Sequence, residues 1–202
     1  PNGDKQWDSF LTEAIGKGLK GKQLHNAIPH RRMSATIYKN YPQGKITVTD
    51  FLLGQYYLYE DALNSQEWNI ENDSMKVVLG HECQKATCSF RGRKWTAWFA
   101  LDVPVSDGPL KFCGLPGLIM EVYDRGKQYY FCINGMQQVS ATPITFGILD
   151  KDFKHFQKTD RKDFLLSKYR YLRNQNSINE ASTGISLGSV DEALKYDLIE
   201  KE

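Results

Sequence analysis

The chain has 202 residues, of which 41% are apolar, 25% charged and 12% aromatic. Those fractions supply a packed core and exclude a wholly disordered chain, and the length fits one large domain with appended arms. A net charge of +2 is too small for the concentrated basic surface of a nucleic-acid binder, so no nucleic-acid partner is expected.

The chain opens at Pro1, which reads as an end left by removal of a leader. No apolar run approaches the roughly 18 residues of a membrane-spanning helix, so the mature chain is expected to carry no transmembrane segment. Residues 5–20 show helical spacing, with Phe10, Leu11, Ala14 and Ile15 on one face. Gly16, Gly18 and Gly21 then mark the end of that helix. His30-Arg31-Arg32 is a short basic cluster of the kind that usually lies in a solvated loop.

From Ser34 the apolar period changes to two. Ile46 and Val48 alternate with Lys45, Thr47 and Thr49. Asn72-Asp73 separates a strand over 68–70 from one over 75–79, and Gly80 and Gly92 set off strands over 82–90 and 94–101. Asp124-Arg125-Gly126 divides 118–123 from 128–133, and Asn134-Gly135 predicts a hairpin to a further strand over 137–142. Successive short strands joined by tight turns make an antiparallel meander rather than a βαβ array. Large groups on both faces, such as Tyr129, Phe131 and Ile133 opposite Tyr130 and Cys132, predict a curled sheet or half-barrel.

Polarity rises after Asp150. Phe164, Leu165, Tyr169 and Leu172 form one stripe, so 160–174 is an amphipathic helix. Residues 150–174 carry eight Lys/Arg and four Asp, whereas 175–202 carry two Lys and six acids. The tail is therefore expected to fold back on the helix. Its 174–189 stretch has linker composition, and Ser189-x-x-Glu192 is a capping box opening a short final helix.

The four cysteines are Cys83, Cys88, Cys113 and Cys132, which allow two disulfides in three connectivities. On one extended strand Cys83 and Cys88 would stand about 16 Å apart, well past the reach of a disulfide. Cys113–Cys132 is the easier pair, because the 114–117 turn can fold Cys113 back toward the strand carrying Cys132. No Cys-x-x-Cys pair is present, and His81-x-Cys83 with Cys88 does not complete a metal site, so no metal and no cofactor are expected.

Residues 83–124 contain Phe90-Arg-Gly-Arg93, Trp95-Thr-Ala-Trp-Phe99, Pro104-Val-Ser-Asp-Gly-Pro109 and Gly114-Leu-Pro-Gly-Leu-Ile119. This stretch resembles the GLPGLI family of the Bacteroidota, named for that hexapeptide. The flanks 41–50 and 121–124 agree, and the resemblance covers 34–145. It implies an exported protein, periplasmic or associated with the outer membrane, of a family without an established activity. The chain departs from the family pattern at Leu110, where Trp is frequent, and at Cys113; the latter departure implies a local disulfide.

Taken by its residues, the hexapeptide is first a turn. Gly114 and Gly117 accept positive φ, Pro116 fixes the bend, and Leu115, Leu118 and Ile119 are apolar enough to be buried. Its functional counterpart is a rigid recognition loop over 106–117, including Asp107. Arg91, Arg93, Trp95 and Trp98 make a second candidate cluster, since Arg beside Trp combines cation–π contact with bidentate hydrogen bonding.

Catalytic signatures are missing: there is no Gly-x-Ser-x-Gly elbow, Walker A loop, dinucleotide fingerprint or His-Glu-x-x-His helix. His25, His30, His81 and His155 are scattered, and Asp102, Asp107, Glu121 and Asp124 are ordinary carboxylates. The sequence therefore predicts a mainly β protein, α+β by content. A β core over 34–147 lies between helical arms at 1–33 and 148–202, in one domain. Its expected role is non-catalytic binding of a small apolar ligand, a peptide or an envelope partner protein. The alternatives are a hydrolase or thiol enzyme near His81 and Cys83, and a structural assembly subunit.

Overall fold

The computed structural model describes residues 12–14, 16–19, 35–140, 155–174, 181 and 198–200. The chain divides into two compact units, Pro1–Ser34 and Ala35–Glu202. In the first, residues 12–14 and Gly16 are helical, Ala14 is buried, and Lys17 pairs with Glu13 one turn earlier. No longer N-terminal helix is found among the described residues, and most of the expected 1–33 arm, including its basic cluster, lies outside them.

The second unit holds two sheets. The first has the order β1-β2-β3-β9, from β1 (Thr36–Lys39), β2 (Lys45–Leu52), β3 (Gln55–Ala62) and β9 (Gln157–Lys158). Its pairings are antiparallel except for β9, which lies parallel to β3. The second is a five-stranded antiparallel meander of β4 (Asn69–Val78), β5 (His81–Phe90), β6 (Arg93–Ala100), β7 (Leu118–Asp124) and β8 (Tyr130–Cys132). A helix, α1 (Arg161–Arg173), packs on β3.

Three hairpins use the same two-residue device. Leu53-Gly54, Leu79-Gly80 and Arg91-Gly92 all have positive φ at both positions, the backbone twist that matches antiparallel partners. Leu53-Gly54 is therefore the turn that makes β2 and β3 a pair.

The expectation of a curled sheet or half-barrel is corrected to two separate sheets. The ladder stops after Ala62, where Asn64 takes a left-handed conformation. The link from β3 to β4 then spends its polar groups elsewhere: Gln66 Nε2 donates to the Lys111 carbonyl and Trp68 Nε1 to the Cys113 carbonyl. Those bonds tie the link to the 106–117 loop, and β4, which follows it, belongs to the second sheet.

Two strand boundaries also differ. Asn72-Asp73 is not a turn but part of a bulge, where the β4–β5 register jumps from Glu71↔Lys85 to Met75↔Gln84. Asn134-Gly135 forms no hairpin: residues 134–140 have no regular structure and are exposed, and 141–142 lie outside the described residues.

Helix α1 matches the expected 160–174 closely. Asp160 caps it by accepting the Lys162 N–H at 2.7 Å, Asp163 sits in the first turn, and Arg170 and Arg173 sit in the last. Phe164 is buried between Tyr57 and Tyr59, while Tyr169 of the same stripe is exposed and Lys168 reaches Asp50. The expected final helix at Ser189 lies outside the described residues.

Two cores result. Ile46, Val48, Leu52, Tyr59 and Phe164 close the first sheet against α1. Ala86, Phe90, Trp95, Phe99, Ile119 and Val122 pack with Phe112 and Leu115, which the long β6–β7 connection delivers. A smaller cluster of Val78, Cys83, Ala100 and Met120 sits on the opposite face of the second sheet.

Candidate functional site

The 106–117 loop is held from several sides. Lys39 of β1 donates to Asp107 Oδ1 at 2.5 Å, to the Gly108 carbonyl at 2.6 Å and to the Phe112 carbonyl at 2.8 Å. Ser106 Oγ accepts the Gly114 N–H at 3.1 Å, and Ile119 N donates to the Asp107 carbonyl at 2.9 Å. The hexapeptide itself is a buried structural turn. Leu115 and Ile119 are buried, Pro116 is exposed, and Gly114 takes φ +90°. Gly117 is required for another reason than positive φ: a Cβ there would stand 2.0 Å from the Ala100 carbonyl oxygen.

Beside this loop lies a cleft of about 450 Å³. Its apolar walls are Leu118, Ile119, Met120, Phe131 and Ile133, and Asp107, Tyr130 and Cys132 stand among its polar groups. Strand β8 forms one side, and among the described residues β8 pairs only with β7. Partial desolvation, with the Cys132 thiol and the Glu121 carboxylate nearby, pushes the hydroxyl of the half-exposed Tyr130 up to about 12.

Arg91 and Arg93 do not face a ligand with the tryptophans. Arg93 is buried, pairs with Asp124 at 2.8 Å, and stacks over Tyr129. Arg91 Nη2 donates to Asp61 Oδ1 at 2.7 Å. Trp95 is buried and donates to the Phe90 carbonyl. Trp98 lies on the opposite face beneath the Lys76 ammonium, with its indole N–H buried and unpartnered among the described residues. Of the sequence candidates, Asp107 lines the cleft with Gly108 and Pro109 of the same loop, as does Cys132.

A second cluster was not legible in the sequence. Asp61, Arg91, Lys111, Arg161 and Glu200 come from five separate segments and meet in one ionic network. Lys111 Nζ lies 2.9 Å from Asp61 and 2.5 Å from Glu200, and Arg161 lies 3.2 Å from Glu200. The Lys111, Arg161, Asp61 and Glu200 side chains are each exposed by only 6–10%. Burial, reinforced by the carboxylates of Glu200, Asp61 and Asp50, raises the Tyr59 hydroxyl above its ordinary range. Glu200 thus reaches Arg161, the first residue of α1. The sequence signals were Arg91, singled out with the tryptophans, and a lysine at 111 between Leu110 and Phe112.

The expected Cys113–Cys132 disulfide is corrected: all four cysteines are free. Cys113 is buried and directs its thiol at Gln66 and the Lys111 carbonyl, whereas Cys132 is exposed on β8. Cys83 donates to the backbone carbonyl of its neighbour His81, while the His81 ring lies 2.7 Å from Asp102. Burial raises the Cys83 and Cys113 thiols and pushes Cys88 up to about 12. Raised thiols are protonated and poor nucleophiles. In native protein at pH 8, Ellman's reagent should therefore modify Cys132 alone at first. Denaturant without reductant should release all four thiols, and a release of two would restore the disulfide. A thiol raised by folding stabilises below its unfolded pKa, so stability should fall as pH climbs from about 9 toward 12.

Among the described residues, no group of three or more His, Cys, Asp or Glu side chains is placed to hold a metal ion, and no helix is long and apolar enough to cross a membrane.

The described part of the chain is thus a pair of antiparallel-rich sheets with a C-terminal helix. Residues 84–121, from β5 through the loop into β7, match a family model described as "Protein of unknown function (Porph_ging)". No curated protein matches the chain. The chain is similar to several solved chains, among them two structures of one protein. "Structure of PNGF-II in P21 space group" has TM-score 0.40 and 16% identity, over 61% of this chain and 22% of that one. "Structure of PNGF-II in C2 space group" has TM-score 0.38 and 18% identity, over 62% and 23%. The chain therefore spans less than a quarter of the length of either.

Proposed function

We propose that the protein is an exported cell-envelope binding protein of the GLPGLI type, which takes a small, largely apolar ligand in the cleft between the 106–117 loop and β8. The cleft carries this reading. Its volume of about 450 Å³ is that of a small-molecule site. Its apolar walls supply affinity, and the Asp107 carboxylate and Tyr130 hydroxyl supply orientation. The loop is fixed by Lys39 rather than left to close on the ligand, so the site is formed in advance and little ordering cost falls on binding.

Native mass spectrometry on protein taken from its own envelope, set against the denatured intact mass, tests the proposal. The expected result is a retained small-molecule adduct that is absent from Ile133→Trp, whose indole fills the cleft. A bare wild-type mass, or equal retention by the variant, overturns it. A bound peptide or protein would point to pairing along the outer edge of β8.

A further inference from the structure

A second site lies outside the cleft and does not depend on it. Three residues near the end of the chain, Leu198, Ile199 and Glu200, are held as a bound peptide would be. Arg93 reads the main chain: its Nε donates to the Ile199 carbonyl at 3.0 Å and its Nη2 to the Leu198 carbonyl at 2.9 Å. Ile199 packs against the core cluster that contains Trp95 and Phe112. Glu200 places its carboxylate against Lys111, Arg161 and Arg91 at 2.5, 3.2 and 3.9 Å. Among the described residues, all three cations also reach the Asp61 carboxylate.

We propose that Arg91, Arg93, Lys111 and Arg161 form a cradle for a peptide carrying an apolar residue followed by a glutamate, and that the chain's own Leu198–Glu200 strap fills it in cis. Both halves of the recognition are needed. A free anion would satisfy the cations but leave Arg93 without its pair of carbonyls. An apolar peptide would satisfy Arg93 but leave a buried cation excess, which is costly. The ligand class is therefore an acidic peptide, not an inorganic anion. While the strap is tethered, its effective concentration is on the order of millimolar, so a competing peptide enters only when the strap is weakened or displaced.

The test uses the full chain carrying Ile199→Ser and Glu200→Gln, which weakens the strap in place. A fluorescent peptide of residues 195–202, Lys-Tyr-Asp-Leu-Ile-Glu-Lys-Glu, is followed by anisotropy. The variant should capture it, and the wild-type chain should bind about 100-fold more weakly because its own strap occupies the cradle. A peptide with glutamine at the Glu200 position should also bind about 100-fold more weakly than the parent peptide. Adding Arg93→Ala to the variant should abolish capture. Should the variant be unfolded by circular dichroism, the parent peptide should restore its fold and the glutamine peptide should not. Lack of capture by the folded variant overturns the proposal. So does equal capture by wild type and variant, or failure of the parent peptide to refold an unfolded variant.

Discussion

Gly117→Ala should destabilise the protein by about 3 kcal/mol or more, lowering the melting temperature by about 10 °C for a chain of this size. The added Cβ would lie 2.0 Å from the Ala100 carbonyl oxygen and 2.7 Å from its carbon, both backbone atoms at the end of β6. A flexible side chain could swing away from such a contact, but a strand backbone cannot. Relief would have to come from separating the loop from β6, which withdraws Leu115 and Phe112 from the main core. Gly114→Ala is the internal control. Its Cβ would meet only the Asn64 side chain, at 3.5 Å, so its cost is the left-handed backbone at φ +90°, about 1–2 kcal/mol. Thermal unfolding followed by circular dichroism should rank Gly117→Ala well below Gly114→Ala. Equal midpoints would mean that the loop yields at Gly117 and that the hexapeptide does not lock the sheet.

The hexapeptide also shows which features the sequence makes legible. Its turn character and the burial of Leu115 and Ile119 follow from residue types within six positions. The reason for Gly117 does not, because the atom it must avoid belongs to Ala100, in another strand. The same division runs through the fold. Gly80 and Gly92 mark hairpins because the turn chemistry is local, and α1 is readable because the Phe164 stripe is local. The segment between the two sheets is tied down by Gln66 and Trp68 donating to carbonyls some 45 positions away, which no period reveals. Asn134-Gly135 has the strongest hairpin dipeptide of the chain, yet β8 stops at Cys132. A turn signal permits a strand pair but cannot supply the partner. At the candidate sites, Arg91 and Arg93 stand out in the sequence as charges beside tryptophans, and local spacing leaves their direction open. Their partners, Asp61 and Asp124, turn them inward.

Asp61→Asn should cost about 3–5 kcal/mol, whereas Lys111→Met should cost about 1 kcal/mol, although both residues sit in the same buried network. The difference is one of charge balance. Among the described residues, the cluster holds three cations, Arg91, Lys111 and Arg161, against two carboxylates, Asp61 and Glu200. Asp61→Asn preserves shape but removes one of the two carboxylates that, among the described residues, face the buried Lys111 and Arg161 and the half-buried Arg91. Lys111→Met instead leaves two guanidinium groups facing two carboxylates, with Arg91 still 2.7 Å from Asp61 and Arg161 still 3.2 Å from Glu200. The methionine occupies much of the volume of the lysine stem against the Tyr59 ring, which the ammonium now covers at 4.8 Å. Urea unfolding of the two single variants and the double variant should show Asp61→Asn partly rescued by Lys111→Met, with a coupling of about 1–3 kcal/mol. Because the groups are buried, the ranking should persist in 1 M salt, where the Debye length is about 3 Å and exposed pairs are screened away. If Lys111→Met proved the more damaging change, the bonds of its ammonium to Asp61, Glu200 and the Tyr59 hydroxyl would govern the cluster, and charge balance would not.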